Sequence, residues 1–504
     1  MSILLSLEAV SVQNQGKTIL DHIHFTLQEG QQWVLVGASG AGKSALLSLI
    51  AGKLRPSSGS YKAPFAQPYL QAHQGDGSNR SFHDLIALTT PQHSFKSKSN
   101  VQNFYYQQRF NSSELDDIDT VEEYLVKYAK NSWNNFWTLD KVIQTLDLSS
   151  LKDKKIIMLS NGESRRLTFA LALLKNPSIL LMDQPLIGLD RETRERFDDI
   201  LQQIIQSGIH LILATSATEI PDSITHVAWL QDGRIHAQGK KESIALTPLV
   251  LANNQESTLK KEALLREELS KQKLPTFERI VEMKDVHISY GDKQVLSGIN
   301  WTVKQGEHWV VQGHNGAGKS TLLSLINGDN PQAYANHIVL FDRKRGSGES
   351  IWDIKKKIGY VSPEQHQYFP VDQSCLSVIL SGYYDTDGLF RKVSEERQAQ
   401  ALRWMQVFEI DQLKHRLLKM VTTGEQRLCL LARALIKTPP LLILDEPCQG
   451  LSSVQRDRFK AIITHICQET NTTIIYVSHY PEDIPDSIDK KLVLSSGKIV
   501  LIKG

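Results

Sequence analysis

The sequence predicts an α/β fold that occurs twice along one chain, with a mainly parallel sheet at the core of each half. Short apolar strands alternate with amphipathic stretches in both halves, as residues 180–183, 193–206 and 211–215 illustrate. This alternation is typical of parallel sheets covered by helices. Each half also carries a glycine-rich loop between an apolar run and a helix-like run. Such a loop would lie at the carboxyl end of a strand, where sheets of this kind bind ligands.

The two glycine-rich loops both fit the pattern G-x-x-x-x-G-K-[ST]. They read Gly37-Ala-Ser-Gly-Ala-Gly-Lys43-Ser44 and Gly313-His-Asn-Gly-Ala-Gly-Lys319-Ser320. In such a loop backbone N–H groups surround phosphate oxygens, the lysine reaches the terminal phosphates and the serine hydroxyl binds Mg²⁺. Two matches in the same context indicate that the chain binds a nucleoside triphosphate. The predicted phosphate-binding residues are Gly37, Ser39, Gly40, Gly42, Lys43 and Ser44 in the first loop, and Gly313, Asn315, Gly316, Ala317, Gly318, Lys319, Ser320 and Thr321 in the second.

The similarity between the halves extends beyond the loops. The run Ser178-Ile-Leu-Leu-Met-Asp183 parallels Leu441-Leu-Ile-Leu-Asp445, and both runs end in an aspartate. A repeat that spans half of the chain means tandem domains rather than a solenoid. We therefore expect a first domain at residues 1–239, a helical linker at 240–277 and a second domain at 278–504. The linker is rich in strong helix formers and in charges of mixed sign, which favours a solvated helical tether.

Composition and charge narrow the class of protein. At 504 residues the chain is too long for one core, and its 41% hydrophobic and 22% charged residues are ordinary for a globular protein. A formal net charge of +2 gives no basic field of the kind that attracts nucleic acids. No apolar run approaches the roughly 20 residues of a membrane helix, and the start has no basic signal-peptide segment. The four cysteines include no C-x-x-C pair, so we expect free thiols and a cytoplasmic location.

Each loop is followed by an apolar run that ends in acid. Asp183 and Asp445 would hold Mg²⁺ from the side opposite the loop serines, Ser44 and Ser320. Glu446 comes directly after Asp445 and is placed to polarise an attacking water. The residue after Asp183 is a glutamine, which cannot accept a proton.

Between loop and acid lie Leu159-Ser-Asn-Gly-Glu163 and Val421-Thr-Thr-Gly-Glu-Gln-Arg427, which resemble the LSGGQ signature of ABC-type ATPases. The order of phosphate loop, signature and acid resembles that superfamily in both halves and covers nearly the whole chain. The segments at 445–452 and 477–483 look most like those of the ModF-type, molybdate-associated ATP-binding proteins, in which two ABC domains are fused. The resemblance implies two tandem P-loop NTPase domains, each with a helical subdomain that carries the signature.

In this family each ATP site lies between domains, so the phosphate loop of one half faces the signature of the other. The resemblance implies that, at the second loop's site, Tyr290 stacks on adenine, Glu446 is the catalytic base and His479 contacts the γ-phosphate. Every residue of this site matches the family pattern. The remaining members would be Lys319, Ser320 and Asp445, with Ser160, Asn161, Gly162 and Glu163 of the first signature and Asp190 nearby.

At the first loop's site the family pattern is broken. Asn14 stands at the position of the aromatic residue, Gln184 at that of the base and Ser216 at that of the histidine. The departures come from both halves and converge on one site, so the resemblance predicts one hydrolytic site and one that turns over ATP slowly or not at all. The remaining members of the degenerate site would be Lys43, Ser44 and Asp183, with Thr422, Thr423, Gly424 and Glu425 of the second signature and Ser452 in place of an aspartate.

Two features receive no catalytic role. The family's metal-contacting glutamine has proline in its place, at Pro91 and Pro363, and Gln92 and Gln365 lie just beyond. Residues 93–119 have no clear counterpart in the second half, and we expect an ordered surface insertion, with a partner-contact loop as the alternative.

Three functions are compatible with the resemblance. The first is the energising subunit of a transporter whose permease is a separate chain, peripheral at the inner face of the membrane. The second is a soluble ABC factor that acts on nucleic acid or the ribosome, against which the near-neutral charge counts. The third is a cytosolic ATPase with a regulatory or storage role.

Overall fold

A computed structural model gives the fold of the chain. Its described residues form two compact units, one before residue 245 and one after residue 254. Among the described helices, none is long and apolar enough to cross a membrane. The description covers all residues except 1, 15–16, 39, 75–79, 91–117, 130–134, 160, 187–193, 218, 245–254, 271–273, 292 and 452, and only the backbone at 14, 17, 161, 255–262, 293 and 453.

The first unit contains a six-stranded sheet and a three-stranded antiparallel sheet. Its strands are β1 (Ile3–Asn14), β2 (Lys17–Gln28), β3 (Trp33–Val36), β4 (Ser58–Lys62), β5 (Ile86–Thr89), β6 (Ile179–Asp183), β7 (His210–Ala214), β8 (His226–Gln231) and β9 (Arg234–Lys240). Its described helices are α1 (Lys43–Ile50), α2 (Gln67–Ala72), α3 (Val121–Tyr128), α4 (Leu139–Thr145), α5 (Asn161–Leu173) and α6 (Phe197–Gln206). The larger sheet has the order β5-β6-β7-β3-β8-β9, in which only the β8–β9 pair is antiparallel.

The second unit repeats this plan, except that its smaller sheet has four strands. Its strands are β10 (Arg279–Tyr290), β11 (Lys293–Lys304), β12 (His308–Gln312), β13 (His337–Leu340), β14 (Arg343–Lys344), β15 (Ile358–Val361), β16 (Leu441–Asp445), β17 (Thr473–Val477), β18 (Lys490–Ser495) and β19 (Lys498–Lys503). Its described helices are α7 (Gln255–Ser270), α8 (Lys319–Asn327), α9 (Ile351–Lys355), α10 (Pro363–Tyr368), α11 (Cys375–Ser381), α12 (Glu395–Val407), α13 (Thr423–Leu435) and α14 (Ser453–Glu469). The larger sheet, β15-β16-β17-β12-β18-β19, has the same order of equivalent strands.

The central strands of both large sheets are covered on both faces. Every residue of β6 and of β16 is buried, as expected for parallel strands between layers of helices. Helix α6 illustrates the covering layer, because Phe197, Ile200, Leu201 and Ile204 recur at helical spacing and are all buried. The predicted α/β fold with a mainly parallel sheet in each half is confirmed.

Sheet order brings the ends of several strands together in each unit. The phosphate loop follows β3 or β12, and the predicted metal-binding aspartate ends β6 or β16. One strand, β7 or β17, lies between them, and all three strands run parallel. The loop and the aspartate therefore lie at the same edge of the sheet, where ligands bind in this kind of fold.

The joint between the halves is not a solvated tether along its described part. Helix α7 packs against α12 and α14 of the second unit, and Leu265 and Leu269 are buried there. The side chain of Glu268 is 1% exposed and pairs with Arg403 of α12. The prediction failed because Leu265 and Leu269, one helical turn apart, are buried together with Glu268, and the many charges of the segment concealed this. Residues 245–254, 271–273 and most of the 93–119 segment lie outside the described residues, so the domain boundaries and the insertion stay predictions.

Candidate functional site

The phosphate loops of the two units have the same backbone. The φ angle is 81° at Gly40 and 82° at Gly316, and it is 101° at Gly42 and 103° at Gly318. In both units the loop leads directly into a helix, α1 or α8, whose first residue is the motif lysine. The serine, and in the second loop Thr321, therefore lie in the first turn, where free backbone N–H groups favour anions. Ser39 lies outside the described residues.

Close packing explains the first glycine of each loop. A Cβ atom added to Gly37 would lie 2.2 Å from the carbonyl oxygen of Leu230. A Cβ atom on Gly313 would lie 2.4 Å from the carbonyl oxygen of Leu494. Since both obstacles are backbone atoms of a neighbouring strand, neither can move aside easily. The loop thus needs glycine at this point in both units.

The motif lysines bridge back across their own loops. The Nζ atom of Lys43 donates to the carbonyl oxygens of Gly37 at 2.7 Å and Ala38 at 2.9 Å. Lys319 makes the corresponding two bonds at 2.8 Å and 3.0 Å. Burial lowers the pKa of Lys43 to about 8, although the nearby Asp183 opposes this shift. A half-buried ammonium group held by neutral carbonyls suits a phosphate ligand, whose charge would favour the protonated lysine.

Asp183 has the properties expected of a metal ligand. It is buried, and its Oδ1 atom has no hydrogen-bond partner among the described residues. Burial raises the pKa of this carboxyl, while a hydrogen bond from Ser44 and the charge of Lys43 lower it. No group of three or more His, Cys, Asp or Glu side chains that could hold a metal occurs in the described part of the chain. A site with one carboxylate and one hydroxyl suits Mg²⁺, which takes its other ligands from phosphates and water.

The residues after the two aspartates share an unusual backbone conformation. Both Gln184 and Glu446 have a φ angle of 47°, in the left-handed region. The N–H of Gln184 donates to the carbonyl oxygen of Ala214 at 2.7 Å, and that of Glu446 to Val477 at 2.9 Å. The same main-chain geometry thus presents an amide in the first unit and a carboxyl in the second.

Glu446 is a buried carboxyl close to a histidine. Its Oε1 atom forms no hydrogen bond within the described residues and lies 3.6 Å from Nε2 of His479. Burial and the adjacent Asp445 raise the pKa of Glu446 to about 8, although Lys319 opposes the shift. A raised pKa makes a carboxylate a stronger proton acceptor near neutral pH.

Strand register gives Ser216 and His479 equivalent positions. Asp183 pairs with Ala214 in β7, and Asp445 pairs with Val477 in β17. Ser216 and His479 each follow the paired residue by two positions. The first unit therefore has a short hydroxyl side chain where the second has an imidazole.

The adenine position predicted at Tyr290 lies at the end of a β-hairpin strand. Tyr290 pairs with Lys293, as Asn14 pairs with Lys17 in the first unit. The Tyr290 hydroxyl accepts a hydrogen bond of 2.9 Å from Nδ2 of Asn330, which is fully buried. This contact fixes the ring near the helix that follows the phosphate loop. The side chain of Asn14 is outside the description.

The signatures lie at helix N-termini. Thr422 caps α13, since its hydroxyl accepts from the N–H of Glu425 and the Glu425 carboxylate accepts from the N–H of Thr422. Thr423 and Gly424 are the first two residues of α13. In the first unit the signature opens α5, and Glu163 pairs with Lys154 at 2.6 Å. Ser160, Asp190 and Ser452 lie outside the described residues, as does the side chain of Asn161.

Gln365 and two arginines also lie near these positions, and their contacts are to protein groups. With its amide oriented to satisfy both neighbours, Gln365 donates to the carbonyl of Tyr360 at 2.9 Å and accepts from Arg433 at 3.0 Å. These contacts give no support for a metal role. Gln92 lies outside the described residues. Sequence reasoning missed Arg165 and Arg427, which donate to the carbonyl oxygens of Gln184 and Glu446. Their equal spacing from the two signatures was the available signal.

The fold and the two sites define a tandem ABC ATP-binding protein. The model of the ABC transporter family matches residues 20–187 and 296–449, so the chain belongs to that family. Among its relatives, the ABC transporter ATP-binding protein ModF of Escherichia coli (strain K12) is 34% identical over 93% of this chain and 92% of ModF. An uncharacterized ABC transporter ATP-binding protein of Schizosaccharomyces pombe is 30% identical over 96% of each chain. A solved structure of an ATP-binding subunit of an ABC transporter aligns with 51% of this chain at 20% identity and a TM-score of 0.39. The predicted resemblance to ModF-type proteins is confirmed.

Proposed function

We propose that the chain hydrolyses ATP to ADP and phosphate at the site of the second phosphate loop, while the site of the first loop binds ATP with little or no turnover. One observation carries the proposal. On the same left-handed backbone the second unit has Glu446, with His479 nearby, and the first unit has Gln184, with Ser216 at the equivalent position. At this matched position the carboxyl of Glu446 can take a proton from water, and the amide of Gln184 cannot.

The residues of the second unit have distinct roles in this proposal. Lys319 binds the terminal phosphates, and Ser320 and Asp445 hold Mg²⁺. Bound Mg²⁺ would neutralise charge on the phosphate oxygens. Glu446 accepts the proton of the attacking water, for which its raised pKa suits it. His479 orients the γ-phosphate side of the site, and Tyr290 stacks on adenine.

Family membership supports pairing of the two ABC domains within the chain. Each phosphate loop would then be completed by the signature of the other half. The second loop would receive the signature at 160–163, and the first loop the signature at 422–425. With this assignment the losses at Asn14, Gln184, Ser216 and Ser452 fall on one ATP site.

We further propose that ATP turnover energises a membrane transporter, with the chain at the cytoplasmic face and the permease on a separate chain. The support is the family match and the similarity to an ABC transporter ATP-binding protein of Escherichia coli. Co-purification of the untagged protein with a hydrophobic membrane protein is the expected outcome. Sedimentation with ribosomes or DNA that weakens with salt would instead favour a nucleic-acid factor. An adjacent permease gene would support the transporter.

The assignment of hydrolysis to the second site is tested by substituting each of the two matched positions separately. Glu446→Gln should lower kcat by roughly 10²- to 10⁴-fold, the usual contribution of a general base, with ATP binding retained. Gln184→Ala is the matched control and should change kcat by less than about threefold. Phosphate release and equilibrium binding of a labelled nucleotide measure the two effects. Full turnover by Glu446→Gln, or an equal loss with Gln184→Ala, would contradict the proposal.

A further inference from the structure

A buried arginine follows the signature in each half. Arg165 and Arg427 are each the fifth residue of their helix, α5 or α13, and each is 1% exposed. Burial lowers the pKa of both guanidinium groups to about 10. Burying a charged group is unfavourable unless it makes strong hydrogen bonds, so the partners of these arginines are informative.

Arg427 donates to three backbone carbonyls. Nη2 donates to the carbonyl oxygen of Glu446 at 2.5 Å, and Nε lies 3.4 Å from that of Pro447. Nη1 donates to the carbonyl oxygen of Ser362 at 3.2 Å. Ser362 follows β15 and Glu446 follows β16, and these strands are neighbours in the sheet. One side chain of the signature helix thus connects the carboxyl ends of two adjacent strands.

The peptide units around Glu446 are held from two sides. Its N–H is bonded to Val477, and its carbonyl to Arg427. A left-handed conformation costs a residue with a side chain roughly 1–2 kcal/mol. Such a conformation persists only where the surroundings fix it. The hydrogen bonds from Glu446 to Val477 and from Arg427 to Glu446 restrain the two peptide units here.

We propose that Arg427 is a positioning residue that holds the main chain of Glu446 in the conformation required for proton abstraction and couples that conformation to the signature helix. This inference rests on the proposed role of Glu446 as the base. Arg427 itself contacts neither nucleotide nor water in this proposal. We therefore expect its effect on turnover to pass through Glu446.

The first unit has an equivalent arginine that makes equivalent hydrogen bonds to backbone carbonyls, although no glutamate follows its aspartate. We call these hydrogen bonds the arginine clamp. Arg165 donates to the carbonyl oxygen of Gln184 at 2.8 Å and also to that of Thr90. Thr90 follows β5 as Ser362 follows β15. The arginine clamp is therefore present both where the residue it holds is a glutamine and where that residue is a glutamate. Only at Arg427 does it position a group that can act on water.

The test is a double-mutant cycle on the full-length chain. Arg427→Lys keeps the charge, but one ammonium nitrogen cannot reach the three carbonyls that three guanidinium nitrogens reach. We expect kcat to fall about 10- to 100-fold, with KM for ATP changed less than about threefold. In a Glu446→Gln background, Arg427→Lys should cause no further loss of the residual turnover, because the group it positions is already absent. Radiolabelled phosphate release measures both rates.

A second buried arginine of the same helix is the matched control. Arg433 is 5% exposed and donates to Ser381 Oγ at 3.0 Å and to the carbonyl oxygen of Thr386 at 3.1 Å. Any loss of turnover from Arg433→Lys should come from a structural effect. It should therefore lower kcat by the same factor in the parent and in the Glu446→Gln background. Should Arg427→Lys unfold below the assay temperature, Arg427→Gln, which keeps two N–H donors, takes its place.

The outcomes separate the two proposals. If Arg427→Lys multiplied the loss in the Glu446→Gln background as Arg433→Lys does, the positioning role would be overturned while the role of Glu446 stood. If Glu446→Gln alone retained turnover, the proposed function would fail whatever Arg427 did. Loss with Arg427→Lys only where Glu446 is present would support the positioning role.

Discussion

The two units present the same main chain and different side chains at their proposed ATP sites. Lysine contacts in the phosphate loops agree within 0.1 Å, and the residue after the metal aspartate has a φ angle of 47° in both. Yet the proposed base Glu446 and His479 are present in the second unit, and Gln184 and Ser216 stand at the equivalent positions in the first. The main chain of the phosphate loops is the same in both units because packing determines it: Gly37 and Gly313 each lie against a backbone carbonyl of a neighbouring strand. The two units differ only in which side chains this shared main chain carries at the compared positions.

The strongest challenge to this comparison is to rebuild the first site. In a Glu446→Gln background, Gln184→Glu with Ser216→His should raise residual turnover about a hundredfold, the scale of general-base catalysis. The reason is that the left-handed backbone and the contact from Arg165 are already in place. Single-turnover phosphate release measures the gain. Gln184→Glu alone is the control, and an unchanged rate in the rebuilt chain would show that the units differ in more than these side chains.

A pH-dependent stability difference should separate the two units next. The pKa of Glu446 is raised from 4.5 to about 8, so the folded chain binds this proton more tightly than the unfolded chain. The associated stability is complete below about pH 4.5 and is lost as the pH rises through about 8. At pH 8.5 the free energy of unfolding of Glu446→Gln should therefore exceed that of the parent by about 1–3 kcal/mol, and at pH 5 the two should be about equal. Urea unfolding without nucleotide and with EDTA measures it.

The converse substitution controls that result. Gln184→Glu places a carboxyl on the equivalent backbone and should lower stability at pH 8.5 relative to pH 5. An identical pH response of Glu446→Gln and the parent would show that Glu446 is ionised in the folded chain at neutral pH. That outcome would contradict the raised pKa of Glu446 and would leave its proposed role as a base in place.

Sequence patterns predicted the parts of the molecule that have local causes. The glycines at 37 and 313 mark a loop whose close approach to a strand excludes a Cβ atom, so the pattern itself encodes the geometry. The apolar runs that end at Asp183 and Asp445 encode buried parallel strands in the same way. The alignment of Ser216 with His479 required only strand register.

The missed features depend on contacts between distant parts of the chain. Arg427 bonds to backbone carbonyls, which every residue has, so its partners leave no mark in the sequence. Helix α7 was predicted to be solvated because its charges are abundant and mixed. Whether Glu268 is buried depends on Arg403, in another helix far along the chain. Charge counts cannot distinguish a solvated carboxylate from a paired and buried one.

That buried pair provides the smallest test of the difference between the units. Glu268→Gln leaves Arg403 without its carboxylate, and since the arginine side chain is 32% exposed we expect a loss of only about 1–2 kcal/mol in unfolding free energy. Glu267→Gln, at an exposed position of the same helix, should change it by less than about 0.5 kcal/mol. Hydrogen exchange should show lower protection in α7, α12 and α14 for Glu268→Gln alone. Equal effects of the two substitutions would mean that α7 is held by its leucines, and that the charged contact adds nothing to the second unit.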